Sequence, residues 1–164
     1  MIIFNRYKNR ILNFVLRGYL HNKDDSEDIV QKTFIKVYSY KYKYKPSYQF
    51  STWIYTIAKN YSINELKRKE KFTTNDNDPD DSLPDEQSLN QSIESRDYNT
   101  LLYKIIQTLK PKYKEIIVLR YLEGFSYKEI SRITSKRINT LKSHCKRGLN
   151  QIQEKLIKYG IEKE

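Results

Sequence analysis

Apolar positions early in the chain recur every three or four residues. Ile3, Phe4, Tyr7, Ile11, Phe14, Val15 and Tyr19 mark one face of an amphipathic first helix. Asp24-Asp25-Ser26 then offers N-cap chemistry, and Glu27 and Asp28 set carboxylates in a first turn, where the helix dipole favours them. The helix opened there carries Ile29, Val30, Thr33, Phe34, Val37 and Tyr38, with Asp28, Gln31, Lys32 and Lys36 on its other face. A third helix begins at Ser51 or Thr52 and ends in Lys67-Arg68-Lys69, cations at the negative end of its dipole. Its core positions are Phe50, Trp53, Ile54, Ile57 and Leu66; Tyr55, Lys59, Asn60 and Lys67 are its candidate exposed positions.

The pattern resumes with Leu101, Leu102, Ile105, Ile106 and Leu109 on a short helix. Pro111 suits the first turn of the next, which carries Ile116, Ile117, Leu119, Tyr121 and Leu122 and closes at Gly124. Ser126 and Glu129 form a capping box that opens a helix from Tyr127 to about Thr134. After a break at Thr134-Ser135-Lys136, a last helix runs from about Arg137 to Tyr159, with Leu141, Cys145, Leu149 and Ile152 spaced for its inner face. A short helix, a brief turn and a long basic helix make the helix-turn-helix plan, whose second helix enters the major groove. Thr140, Lys142, Ser143, Lys146 and Arg147 lie on its other faces; such side chains read base edges or grip phosphates.

Composition narrows the class. In 164 residues there are only four Gly and four Pro, too few turn signals for an all-β chain, so the expected fold is all-α. A single cysteine excludes an internal disulfide framework and suits a reducing compartment. No apolar run approaches the roughly 18 residues of a membrane span, and the first ten residues mix apolar and basic too finely for a signal-peptide core. A cytoplasmic protein is expected.

The net charge of +11 is uneven. Residues 72–97 hold eight acids (Asp76, Asp78, Asp80, Asp81, Asp85, Glu86, Glu94, Asp97) against one base, Arg96, so the flanking regions are more basic than the whole. The sequence therefore divides into a helical domain at 1–71, an acidic flexible linker at 72–98 and a second helical domain at 99–164. Basic lobes fit an anionic partner, because cations that neutralise phosphates release condensed counterions. Between the second and third helices, Tyr40-Lys41-Tyr42-Lys43-Tyr44-Lys45-Pro46-Ser47-Tyr48-Gln49 interleaves rings with cations. Pro46 favours a helix end plus loop over a strand, and the composition suits unpaired nucleic acid as well as core packing.

Catalysis has no basis in these residues. His21 and His144 are far apart, Cys145 sits at an inward position, and no glycine loop cradles a phosphate. Asp76, Asp78 and Asp80 begin like a calcium loop, but Asp81 and Gln87 replace its glycine and its closing Glu. No cofactor or metal is expected.

Asp25-Ser26-Glu27-Asp28-Ile29-Val30-Gln31 with Thr33-Phe34 resembles the "DAEDLVQETF" helix of bacterial sigma factors. Phe50-Ser51-Thr52-Trp53-Ile54-Tyr55 with Ile57-Ala58-Lys59-Asn60 resembles their "FRTWLYRIARN" segment, at the family's usual gap. The stretch from Leu119 to Ile130 is similar to "LRYLEGLSYEEI", and Thr140-Leu141-Lys142-Ser143 to the "GTVKS" start of a recognition helix. The extracytoplasmic-function (ECF) group is the nearest in size. This resemblance implies a specificity subunit, without catalysis of its own, that binds core RNA polymerase through the beta and beta-prime subunits and directs it to promoter DNA. It implies polymerase docking by Asp25, Glu27, Asp28, Gln31 and Phe34. Capture of the −10 element falls to Lys43, Tyr44, Lys45, Tyr48, Tyr55, Lys59, Asn60 and Lys67, and −35 contact to Thr140, Lys142, Ser143, Lys146 and Arg147. The acidic linker would thread the polymerase's basic channel, and an anti-sigma factor or other recruiting protein is a further implied partner; a membrane is not.

Three departures stand out. Lys32 replaces a family Glu on the docking helix, Pro46 replaces the loop glycine, and Thr134-Ser135-Lys136-Arg137 replaces Leu-Gly-Ile-Ser at the helix-turn-helix corner. The last predicts a looser corner, at a cost of about 1–3 kcal/mol if nothing compensates. Two other roles stay open on the residues: a regulator using the helix-turn-helix alone, and a polymerase-binding adaptor that reads no promoter. The paired motifs of the first lobe favour the sigma-factor reading, since a simple regulator needs neither.

Overall fold

The computed structural model describes residues 2–73 and 98–161. Among these there are seven α-helices and no strand: α1 (Ile2–Gly18), α2 (Lys23–Ser39), α3 (Phe50–Thr73), α4 (Tyr98–Gln107), α5 (Pro111–Ile117), α6 (Tyr127–Thr134) and α7 (Ile138–Lys158). The acidic linker and the failed calcium loop fall within 74–97, outside the described residues, apart from the linker's ends in α3 and α4.

In the first lobe α1, α2 and α3 pack mutually. Ile11, Phe14 and Val15 of α1, Ile29, Val30 and Val37 of α2, and Ile54, Tyr55 and Ala58 of α3 are buried together. The N-cap of α2 is Asn22, not the Asp24–Ser26 run expected for it: Asn22 Oδ1 accepts from the backbone N–H groups of Asp24 and Asp25 at 2.8 and 3.1 Å. Ser26 is buried instead and donates to the Asn22 carbonyl at 2.7 Å. After α2 a single 3₁₀ turn over Lys41–Lys43 leads into the loop, with no strand.

In the second lobe α5 passes into a π-helical turn, Val118–Leu122, which ends before Gly124 at φ +78°. The capping box is complete: Ser126 Oγ accepts from Glu129 N at 3.2 Å, and Glu129 Oε2 accepts from Ser126 N at 2.8 Å. Leu141, Cys145 and Ile152 of α7 face the core, but Leu149 is exposed, contrary to its spacing. Gly148 is buried in its stead; a Cβ there would stand 3.1 Å from Ile117 Cγ1, so α5 and α7 approach closely at that glycine.

The unusual corner between α6 and α7 forms. Ser135 takes the left-handed conformation (φ 57°) that the glycine would have taken. Ser131 Oγ donates to the Lys136 carbonyl at 2.7 Å, and Lys136 pairs with Glu115 at 2.5 Å. These bonds replace the apolar packing that the corner lacks.

The lobes share one core. α3 lies against α6, and α1 against α5 and the π turn. The Tyr55 ring meets Phe125 at 4.8 Å and Phe14 at 4.9 Å.

Candidate nucleic-acid interface

Three surfaces gather the candidate residues. The first is the ring-and-cation loop. Tyr44 is anchored by its ring, 5.6 Å from Phe50 and 5.3 Å from Trp53, and its hydroxyl donates to the Tyr48 carbonyl at 2.6 Å. Together with Lys43, Lys45, Tyr48, Thr52 and Trp53 it lines a cavity of about 410 Å³, closed on one side by Arg132 from the second lobe. That guanidinium sits 5.2 Å from the centre of the Tyr48 ring. Thr52 Oγ1 is buried at this cavity without a hydrogen-bond partner, while neighbouring Thr56 satisfies its hydroxyl on the Thr52 carbonyl. An aromatic-walled pocket with a rim of ammonium groups can stack a planar ring and hold an attached phosphate. On the approach to the loop, a bond from Lys36 together with the charges of Lys36 and Lys43 lowers the Tyr40 phenol below its usual range.

Of the eight residues assigned to this surface, Lys43, Tyr44, Lys45 and Tyr48 come together at the cavity. Asn60 and Lys67 are exposed further along α3. Tyr55 and Lys59 overturn their expected exposure. Tyr55 is fully buried, and its hydroxyl donates to Glu123 of the second lobe, which also pairs with Arg10 at 3.7 Å. Burial and that carboxylate push the Tyr55 phenol far up. Lys59 is half-buried and donates to the Ile133 carbonyl at 3.3 Å. Trp53 was missed as a cavity residue because its spacing reads as core, and Thr52 because it reads as the start of the helix. Arg132 was missed because it arrives from the other lobe.

The second surface is the outer face of α2. Glu27, Asp28 and Gln31 are exposed, with Glu27 3.9 Å from Lys23. Asp25 is tied to Lys69 of α3 by an ion pair, and Lys32 lines a small hollow with Asp28, Glu65 and Arg68. The Glu65 carboxyl is held below its usual range chiefly by its bond from Arg68. Phe34 packs edge-on against Phe4 at 4.8 Å, and on the same two helices Ile2, Ile3, Ile35 and Tyr38 remain exposed. Acids, a cation and a bare apolar strip on one lobe suit a protein partner.

The third surface is α7. Thr140, Lys142, Ser143, Lys146 and Arg147 are all exposed, while Leu141, Cys145 and Gly148 hold the helix to its lobe. Arg147 also reaches Tyr113 of α5 and lowers that phenol. A cationic helix face following a capped turn-helix unit has the shape and charge that a groove of duplex nucleic acid accepts. Among the described residues no three His, Cys, Asp or Glu side chains gather to hold a metal ion, and no helix is long and apolar enough to cross a membrane.

These surfaces describe a two-lobed helical protein fitted to bind nucleic acid, and comparison with known proteins agrees. The Sigma-70 region 2 model matches residues 3–72 and the Sigma-70 region 4 model matches residues 100–152. The chain is 29% identical over 168 residues to the ECF RNA polymerase sigma factor SigW of Bacillus subtilis, covering 94% of this chain and 87% of that one. It is 27% identical over 164 residues to the ECF RNA polymerase sigma-E factor of Haemophilus influenzae, covering 94% and 86%. Its fold is also similar to that of the sigma factor RpoE from Bartonella quintana, solved with the anti-sigma factor NepR, at a TM-score of 0.74 and 21% identity over 94% of each chain. The chain belongs to the sigma-70 family, in its extracytoplasmic-function group.

Proposed function

We propose that this chain acts as an RNA polymerase sigma factor of the ECF type, a dissociable and non-catalytic subunit that makes core polymerase promoter-specific. The observation that carries this reading is the presence of regions 2 and 4, in that order, over nearly all the described residues. The regulator and adaptor readings gain nothing comparable. The first lobe would bind polymerase through Asp28, Gln31, Glu27 and the Phe34 edge, with Asp25 steadied by Lys69. Its cavity at Tyr44, Tyr48 and Trp53 would take an unstacked base of the −10 element. Extruding a base costs a few kcal/mol, and stacking on an aromatic ring returns about 1–3 kcal/mol. The polymerase performs the chemistry; the sigma subunit lowers the cost of melting at one sequence.

The exposed face of α7, with Thr140, Lys142, Ser143, Lys146 and Arg147, would contact the −35 element. An anti-sigma factor is the natural antagonist for such a chain, and the cytoplasm its place of work. Incubating the purified chain with core polymerase on a promoter library and sequencing the transcripts tests the reading. Enrichment of one −10/−35 pair supports it; transcripts identical to those of core polymerase alone refute it.

A further inference from the structure

A second cavity, of about 490 Å³, lies between the lobes and includes none of the proposed −35 residues. Its apolar walls are Ile63 and Leu66 of α3 and Leu109 and Pro111 at the α4–α5 junction. Lys114 of α5 lines it too. Lys114 is only 6% exposed as a residue; its ammonium has no hydrogen-bond or ion-pair partner among the described residues and keeps its remaining contact with water. The adjacent carboxylate is already committed: Glu115 Oε1 accepts from Tyr19 at 2.6 Å and Oε2 from Lys136 at 2.5 Å. The facing helix brings Lys59, which also donates to the Ile133 carbonyl, and the Glu70 carboxylate, and Lys112 and Lys136 add two more cations to the lining.

An ammonium partly withdrawn from water without an acceptor is costly, and the fold relieves the cost by disfavouring the charge. Desolvation accordingly lowers Lys114 and Lys59 below the usual lysine range, and it lowers His21 at the cavity edge, where Lys114 adds to the effect. The cleft thus combines a largely buried, unanswered cation with an apolar wall of ligand size, and cations outnumber carboxylates around it.

We propose that this interlobe cleft binds a small organic anion, its phosphate, sulfonate or carboxylate head on Lys114 and its apolar body against Ile63, Leu66, Leu109 and Pro111. Because α3 supplies one wall and α5 the other, such a ligand bridges the lobes. By linkage it favours the packed arrangement over any in which they separate. An effect of that bridging on promoter use rests on the sigma-factor reading; the site itself does not.

The test titrates the full chain with 8-anilinonaphthalene-1-sulfonate, an aromatic body with a sulfonate head, and follows its fluorescence. Saturable binding is expected, weakened about tenfold by Lys114→Gln through loss of a charged hydrogen bond. Ile63→Glu, which leaves Lys114 in place but replaces an apolar wall with a carboxylate that repels the anion, should abolish it. If Lys114→Gln does not fold by circular dichroism, Ile63→Glu decides alone. Wild-type affinity in either folded variant overturns the proposal. The titration contains neither polymerase nor DNA, so its outcome is independent of the transcription assay.

Discussion

The Tyr19 hydroxyl, at the end of α1, donates to the buried Glu115 carboxylate of α5 at 2.6 Å and so joins two parts of the chain 96 residues apart. The Tyr55–Glu123 bond repeats the device across the same seam. In both pairs a phenol answers a carboxylate that the lobe contact has removed from water, and both phenols are raised above their usual value near 10. Ionising either would set a phenolate against a carboxylate. The folded state therefore holds these protons more tightly than the unfolded chain. The stability they confer is complete below pH 10 and is lost as pH rises above it. Melting temperature should fall between pH 9.5 and 11, and the double variant Tyr19→Phe/Tyr55→Phe should flatten that fall. A profile unchanged by the double variant would remove the seam from the explanation. Near neutral pH, Tyr19→Phe should lower unfolding free energy by about 1.5–3 kcal/mol in urea titrations, since it leaves a buried carboxylate oxygen unanswered.

The corner residue Ser135 offers a prediction of opposite sign. A left-handed conformation costs a non-glycine residue about 1–2 kcal/mol, partly offset by the lower entropy that serine has in the unfolded chain. Ser135→Gly should raise stability by about 0.5–1 kcal/mol, seen as a higher urea midpoint at unchanged slope. A lower midpoint would mean that the Ser135 side chain holds the corner.

Local rules carried far in this chain. The Ser126–Glu129 box and the stop at Gly124 were legible because each depends on residues three or fewer apart. The α2 cap was misplaced because three capping residues in a row at 24–26 draw attention from Asn22, whose earlier position lets one oxygen serve two N–H groups. Leu149 failed for a geometric reason. α5 approaches α7 so closely at Gly148 that the helix presents this small residue inward and turns its neighbour out. The site was half legible. Ring-and-cation alternation marked Tyr44 and Tyr48, but periodicity does not distinguish a face covered by solvent from one covered by a second lobe. Tyr55 and Lys59 were misjudged for that reason, and Arg132, 84 positions from Tyr48, was out of reach.

The cavity in the loop predicts a split between two DNA readouts. Tyr48→Ala and Trp53→Ala should each weaken binding of single-stranded −10 DNA by about 1–3 kcal/mol per lost stack, measured by anisotropy with the polymerase-bound chain. Lys146→Ala should instead weaken −35 duplex binding and reduce its salt slope by about one unit. Equal losses on both DNAs from either set would mean that the surfaces are misassigned.

Arg132 beside Tyr48 constrains how the chain meets a promoter. The two element names place them about 25 base pairs apart, or about 85 Å at 3.4 Å per pair. Lobes in contact, with a guanidinium from one 5.2 Å from a ring of the other, do not reach both sites at once. If both proposed DNA surfaces are used on one promoter, the packed form is one end of a transition, and binding is expected to break the Tyr19–Glu115 and Tyr55–Glu123 bonds. With donor and acceptor dyes on Asn13→Cys and Asn150→Cys, both exposed positions in different lobes, energy transfer should be high in the free chain. It should fall when core polymerase and a promoter carrying both elements are added. Glu115→Gln/Glu123→Gln weakens the seam by removing its charges and should lower transfer before polymerase is added. High transfer that persists in the promoter complex would show that the lobes stay together and that only one element is read.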